Sequence, residues 1–161
     1  MDRSRKVLII EDEEILAANL QAHFQRYGWE SRIACNGKLA LIATGEFRPE
    51  LILIDYKLPD MTGFETLDAI RATHCCNCIL MTGHPDHTVE AEAQRHGISR
   101  ILYKPFPMAG LQSLLLASAA EFCSKCYENG GRPSRLDCGG FAPVIPRALG
   151  KFPVARLAQL L

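Results

Sequence analysis

The chain has 161 residues, 48% of them hydrophobic and 22% charged, a length and balance that suit one soluble domain with a full core plus something short. Its 18 basic and 18 acidic side chains cancel, so no overall field favours a nucleic acid, and the sequence offers no local basic patch or helix-turn-helix. The opening "MDRSRKVLIIEDEE" meets acids after only a few apolar residues, which excludes a signal peptide or a membrane span there; the seven cysteines are then expected to be reduced thiols in a cytoplasm.

In chain order, "KVLII" (6–10) reads as a buried strand that ends in the acids "EDEE". A helix follows, with Ile15, Leu16, Leu20, Phe24 and Tyr27 near helical spacing and Gly28 placed as its stop. "ESRIACN" (30–36) reads as a second strand, and "GKLALIATGEF" (37–47) as a second helix ending near Gly45. "LILI" (51–54) is a third strand, and Gly63 opens a helix with Phe64, Leu67 and Ile70 on one face. "CILMT" (78–82), the polar helix "DHTVEAEAQRHG" (86–97), the strand "RILY" (100–103) and the helix "PMAGLQSLLLASAAEF" (107–122) complete the pattern. Five strands alternating with helices predict an α/β fold, a doubly wound parallel sheet of (βα)5 type. After about residue 122 the chain becomes rich in Gly and Pro, so residues 1–122 are expected to form the domain and 123–161 a short tail without a recognisable output domain. Phe152, Leu157, Leu160 and Leu161 could close that tail as a short amphipathic helix.

Set side by side, the strands bring their polar ends to one edge. The first ends in Glu11 and Asp12, the third in Asp55, the fourth in Thr82, and the fifth in Lys104 followed by Pro105. Carboxylates about 4 Å apart repel by roughly 4 kcal/mol per pair at an effective dielectric near 20, so the cluster must take up protons or hold a cation. Hard oxygen ligands with room for waters and a phosphate suit Mg²⁺. With Lys104 and a metal neutralising phosphoryl oxygens, Asp55 is placed to attack phosphorus as a carboxylate nucleophile, and Thr82 adds a hydroxyl donor. Each residue alone has an ordinary explanation, as turn acid, strand-end threonine or solvated lysine; the joint arrangement is the specific signal.

These motifs, "VLIIEDEE", "LILIDYKLPDMTG", "ILMTG" and "YKPF", make residues 5 to about 122 resemble the receiver domain of two-component response regulators. The resemblance implies a flavodoxin-like sheet of order 2-1-3-4-5 and phosphotransfer from a histidine kinase or phosphotransfer protein to an aspartate, here Asp55. It implies that Asp12, Asp55 and the backbone carbonyl of Lys57 hold Mg²⁺, with Glu11 close by or acting through water. Thr82 and Lys104 would contact the phosphoryl group, and the Lys104–Pro105 bond would be cis. Two positions depart from the commonest pattern: Ile101 stands where a switching Tyr or Phe is usual, with Tyr103 the nearest aromatic, and Gly83 replaces an alanine or serine; Lys57 and His84 occupy the two sites that flank the phosphoryl position. By the same resemblance, the face of the fourth helix, fifth strand and fifth helix would carry the signal to a downstream protein or a second copy, with neither nucleic acid nor membrane as partner. The alternative reading is a receiver-like interaction module that docks a partner without phosphorylation. A carboxylate phosphohydrolase is disfavoured, because Lys57 stands where a second catalytic acid would be needed.

Cys75-x-x-Cys78 and Cys123-x-x-Cys126 have zinc-type spacing, but no knuckle surrounds either pair. Cys78 is read instead as a small hydrophobe at the start of a buried strand.

Overall fold

The computed structural model describes residues 5–84 and 86–112. The elements run β1 (Lys6–Ile10), α1 (Glu14–Arg26), β2 (Glu30–Ala34), α2 (Gly37–Phe47), β3 (Leu51–Asp55), α3 (Gly63–Arg71), β4 (Asn77–Thr82), α4 (His87–Arg95) and β5 (Ile101–Tyr103). Residues 108–112 are helical and begin the predicted last helix, whose remainder, like the predicted tail and Cys123 and Cys126, lies outside the described residues. All strands pair in parallel in the order β2-β1-β3-β4-β5, the flavodoxin-like arrangement.

Covering both faces requires strands with continuous apolar centres, and β1 (Val7 to Ile10), β3 (Leu51 to Ile54) and β4 (Cys78 to Met81) have them. Alternate residues divide between two cores. Leu8, Ile10, Ile52, Ile54 and Leu80 pack with Phe64, Leu67 and Ile70 of α3 and Val89 and Ala93 of α4. Val7, Ile9, Leu51, Leu53, Ile79 and Met81 pack with Leu20 and Phe24 of α1, Trp29 and Leu111. The strand order reverses between β1 and β3, so the helices that follow them leave on opposite faces and a crevice opens at their carboxyl ends.

Local chemistry fixes the loops around that crevice. Thr62 and Glu65 cap α3 reciprocally: the Thr62 hydroxyl accepts from the Glu65 N–H at 3.2 Å and the Glu65 carboxylate accepts from the Thr62 N–H at 2.8 Å. Gly63 is obligatory beside them, because a Cβ there would strike the Asp55 carbonyl. Asp60 reaches back to α2, accepting from the Gly37 N–H at 2.8 Å and the Lys38 N–H at 3.0 Å. The loop after β3 is thus tied to a neighbouring helix by a carboxylate at that helix's positive end.

Two expectations along the helices are corrected. Ile15 is 74% exposed and Tyr27 53% exposed. The buried stripe of α1 runs through Ala17, Leu20 and Phe24; Ile15 lies off it, and Tyr27 falls at the C-cap, where its hydroxyl donates to Gln112. The second helix spans 37–47 as predicted, but Gly45 lies inside it and is not its stop. Phe47, 2% exposed, anchors a further half turn, and Arg48 then closes the helix in the left-handed region at φ 54°. Gly28, by contrast, ends α1 as predicted, with φ 77°.

Asp60→Ala should lower stability by about 1 kcal/mol, the usual cost of losing a helix-terminal carboxylate acceptor. Urea unfolding followed by circular dichroism checks it, and an unchanged midpoint would contradict the tie between this loop and α2.

Candidate functional site

The crevice is lined by the residues that end each strand. Beyond β1, Glu11 continues the ladder with its N–H on the Ala34 carbonyl at 3.0 Å, which turns its side chain inward; it is 1% exposed, whereas Asp12 faces solvent. Asp55, the last residue of β3, is 8% exposed. One carboxylate oxygen from each of Glu11, Asp12 and Asp55 lies within 4.8 Å of the others. The sequence placed these three acids at one sheet edge, and the structure brings them to one point.

Lys104 enters from the far side of the sheet. Its N–H donates to the Thr82 carbonyl at 2.8 Å, and its ammonium donates to Glu11 Oε2 at 2.6 Å and to Asp55 Oδ2 at 2.5 Å. The Lys104–Pro105 peptide is cis. Burial by itself favours a neutral amine here, but the bonds to Asp55 and Glu11 outweigh it and hold Lys104 above the ordinary lysine range. Burial also pushes Glu11 above the ordinary glutamate range, against the opposing hydrogen bond from Lys104 and with the help of the nearby Asp55 charge. One buried cation thus serves two carboxylates while a third stands outside. The cluster remains short of positive charge.

The other predicted residues sit close by but are differently engaged. The Lys57 N–H donates to Asp55 Oδ1 at 3.0 Å, so the Lys57 main chain belongs to the wall of the pocket. Thr82 is 1% exposed, and its hydroxyl accepts from the His84 N–H at 3.1 Å, facing its own loop rather than an acid. Gly83 has open space where a Cβ would stand, so the rim is uncrowded there.

Sequence reasoning missed a contact across the mouth. The Lys57 ammonium lies 3.2 Å from His84 Nε2. An ammonium can only donate, so this nitrogen accepts and the ring carries its proton on Nδ1. Both residues were flagged by the resemblance as neighbours of the phosphoryl position, but nothing in the spacing of 57 and 84 reveals that they touch. Among the described residues the cysteines form no comparable site: Cys78 is buried in β4, and burial pushes its thiol up to about 12, which fits an inert core thiol. The acid trio is the sole grouping of potential metal-ligating side chains found among the described residues.

Comparison with known proteins matches this arrangement. The family model described as the response regulator receiver domain covers residues 7–116. The chain belongs to that family. It is 36% identical over 98 residues to the regulatory protein LuxO of Vibrio vulnificus, spanning 60% of this chain and 22% of that one. Regulatory protein AtoC of Escherichia coli is 29% identical over 116 residues, 71% of this chain and 25% of that one. The chain therefore spans about a quarter of the length of these curated relatives. Among solved structures, the Vibrio cholerae chemotaxis protein CheY4 aligns with a TM-score of 0.66 at 26% identity, over 71% of this chain and 98% of that one. A CheY-like receiver protein of Methanospirillum hungatei shares the fold, with a TM-score of 0.69 at 22% identity over 80% of this chain and 100% of that one. No helix among the described residues is long and apolar enough to cross a membrane.

The raised Glu11 value has a consequence for stability. The folded receiver binds the Glu11 proton more tightly than the unfolded chain does, so this residue's contribution falls as pH rises from the ordinary glutamate range through its raised value. Without divalent cations, Glu11→Gln should therefore raise the melting temperature at neutral pH and flatten its dependence on pH just above the ordinary glutamate range. Thermal melts across that window in chelator check this, and a lower melting temperature for the variant would contradict it.

Proposed function

We propose that this receiver accepts a phosphoryl group on Asp55 from a phosphohistidine of a sensor histidine kinase or phosphotransfer protein, and passes the signal on by protein contact. The observation that supports this best is the sharing of Lys104 between Glu11 and Asp55 at the crevice, with Asp12 left over. A pocket that already holds one buried cation and still carries surplus negative charge is suited to a divalent cation and a phosphoryl group arriving together.

The donor set fits Mg²⁺: three hard oxygens converge, one of them exposed to solvent, which leaves room for the waters this ion retains. Asp12, Asp55 and the backbone carbonyl of Lys57 would hold the ion, with Glu11 beside it or acting through water. When bound, Mg²⁺ supplies charge neutralisation for the phosphoryl oxygens. The chain's own residues do the rest. An Asp55 oxygen forms the new bond to phosphorus as the bond to the donor imidazole nitrogen breaks, and the imidazole leaves with the electron pair. Lys104, already 2.5 Å from Asp55, needs only to turn its ammonium to a phosphoryl oxygen. The Thr82 hydroxyl exchanges its contact with the His84 N–H for another phosphoryl oxygen. The Lys57 N–H keeps the carboxylate oriented during the attack.

In this reading residues 1–122 are the receiver and 123–161 a tail, the protein works in the cytoplasm where its phosphodonors are made, and its partners are a kinase and a downstream protein or second copy. The face of α4, β5 and the helix beginning at 108 is the proposed exit. It is reached from Thr82 through the loop to α4 and from Lys104 through β5.

Incubation with acetyl phosphate and Mg²⁺ should add one phosphoryl mass to the protein, and chelator should prevent it. Asp55→Asn should take up none while keeping its circular dichroism; persistent labelling in that variant would refute the assignment. Calorimetric titration should show that Asp12→Ala weakens Mg²⁺ binding by about tenfold or more, and well beyond Glu11→Ala, since Lys104 already occupies Glu11. Equal losses would contradict that division.

A further inference from the structure

Ile101 leaves this receiver without a ring at the usual switching position, yet β5 carries an aromatic two residues later. Tyr103 is the register partner of Thr82 in the β4–β5 ladder, so both side chains leave the sheet on the α4 side. The Tyr103 hydroxyl donates to Glu90 Oε1 on the first turns of α4, while His87 Nδ1 lies 3.4 Å from the other oxygen, Glu90 Oε2. The bond with Tyr103 draws the Glu90 carboxyl below its usual range and lifts the phenol above its own. Tyr103 is 38% exposed, so its ring bridges two elements at the surface rather than filling the core.

The two ends of α4 are fastened unequally. At the carboxyl end His96 is 7% exposed, stacks on Phe64 with ring centroids 4.7 Å apart, and donates from Nδ1 to Asp68 at 2.9 Å. The His96 carbonyl also accepts from Arg71. That end is bolted to α3. The amino end has the solvent-exposed Tyr103–Glu90 bond and the N-cap Asp86, which accepts from the Thr88 N–H at 2.9 Å. It is joined to the pocket by the short loop in which the His84 N–H donates to Thr82.

We infer that the Tyr103–Glu90 hydrogen bond is a latch that holds the amino end of α4 against β5 in the unphosphorylated receiver and is released when Thr82 turns to the phosphoryl group. The inference rests on the proposed phosphorylation of Asp55. As the Thr82 hydroxyl leaves the His84 N–H, the loop ahead of α4 loses its tie to β4 and shifts. The helix then pivots about its buried His96 end, and the surface bond to Tyr103 gives way first. By reciprocity, a contact made only in the unphosphorylated form opposes phosphorylation. The side-chain hydrogen bonds of Tyr103 and Glu90 run to each other and to His87 rather than to the acid trio or Lys104, so the two residues act on the reaction through this equilibrium.

Tyr103→Phe and Glu90→Ala separate the latch from the chemistry. In the unphosphorylated full chain, each should speed amide hydrogen exchange in the first turn of α4 and leave the helix end at His96 protected. Each should also raise the initial rate of phosphorylation by acetyl phosphate about fivefold, and the double variant should gain no more than either alone. Unchanged exchange in the unphosphorylated variants overturns the latch, whether or not Asp55 accepts a phosphoryl group. A wild-type protein that labels on Asp55 while both variants label at its rate overturns the coupling. Failure of the wild-type protein to label at all, with exchange altered as expected, refutes the phosphorylation reading and retains the latch as a fastening of α4.

Discussion

Lys104 shared between Glu11 and Asp55 is the contact on which the rest of this receiver is arranged. Three carboxylates in one crevice would drive the strand ends apart; a single ammonium with bonds of 2.6 and 2.5 Å to two of them lets the sheet close with its charges inward. The lysine can reach because β5 delivers it at the sheet edge, with its own N–H fixed on the Thr82 carbonyl. One ammonium against three carboxylates leaves the compensation incomplete. That deficit is what the proposed binding of a divalent cation would relieve.

The same geometry divides labour between the sheet and its loops. The strand residues are locked in two apolar cores and supply fixed positions for Glu11, Asp55 and Thr82. The loops and the amino end of α4 are fastened by polar contacts that can be exchanged: Thr82 with the His84 N–H, Lys57 with the His84 ring, and Tyr103 of β5 with Glu90 of α4. Polar, exposed contacts can rearrange at lower cost than densely packed ones. The ring cluster in which Tyr56 meets Phe64 edge to face and Phe64 stacks on His96, with centroids 5.5 and 4.7 Å apart, marks the opposite limit. It joins the loop after Asp55 to α3 and to the carboxyl end of α4.

Family membership and local physics agree on what is ordinary here and part over what is particular. Membership accounts for the acid pair, the aspartate that ends β3, the threonine and the lysine before a cis proline. It does not account for a tyrosine beside that lysine, which the register places against Thr82, nor for the lysine and histidine joined across the mouth of the pocket.

Much of this was legible in the sequence. Apolar runs such as "VLII" and "LILI" announce strands covered on both faces, and their alternation with helices leaves few folds to choose from. Because parallel strands all end at one edge, the polar residues that follow them had to converge, so Glu11, Asp12, Asp55, Thr82 and Lys104 could be gathered before any coordinates. Periodicity was less informative where a stripe ends: Ile15 and Tyr27 are apolar by type, but their angular and terminal positions put them in solvent. Only the tertiary structure decided who pairs with whom. Lys104 turns to Glu11 and Asp55, Asp60 crosses to the start of α2, and Tyr103 reaches Glu90, contacts between residues 93, 49, 23 and 13 positions apart in the chain. A sequence pattern reports the face on which a side chain leaves its own element. Its partner depends on how the elements pack, and that is settled when the sheet twists and its helices close over it.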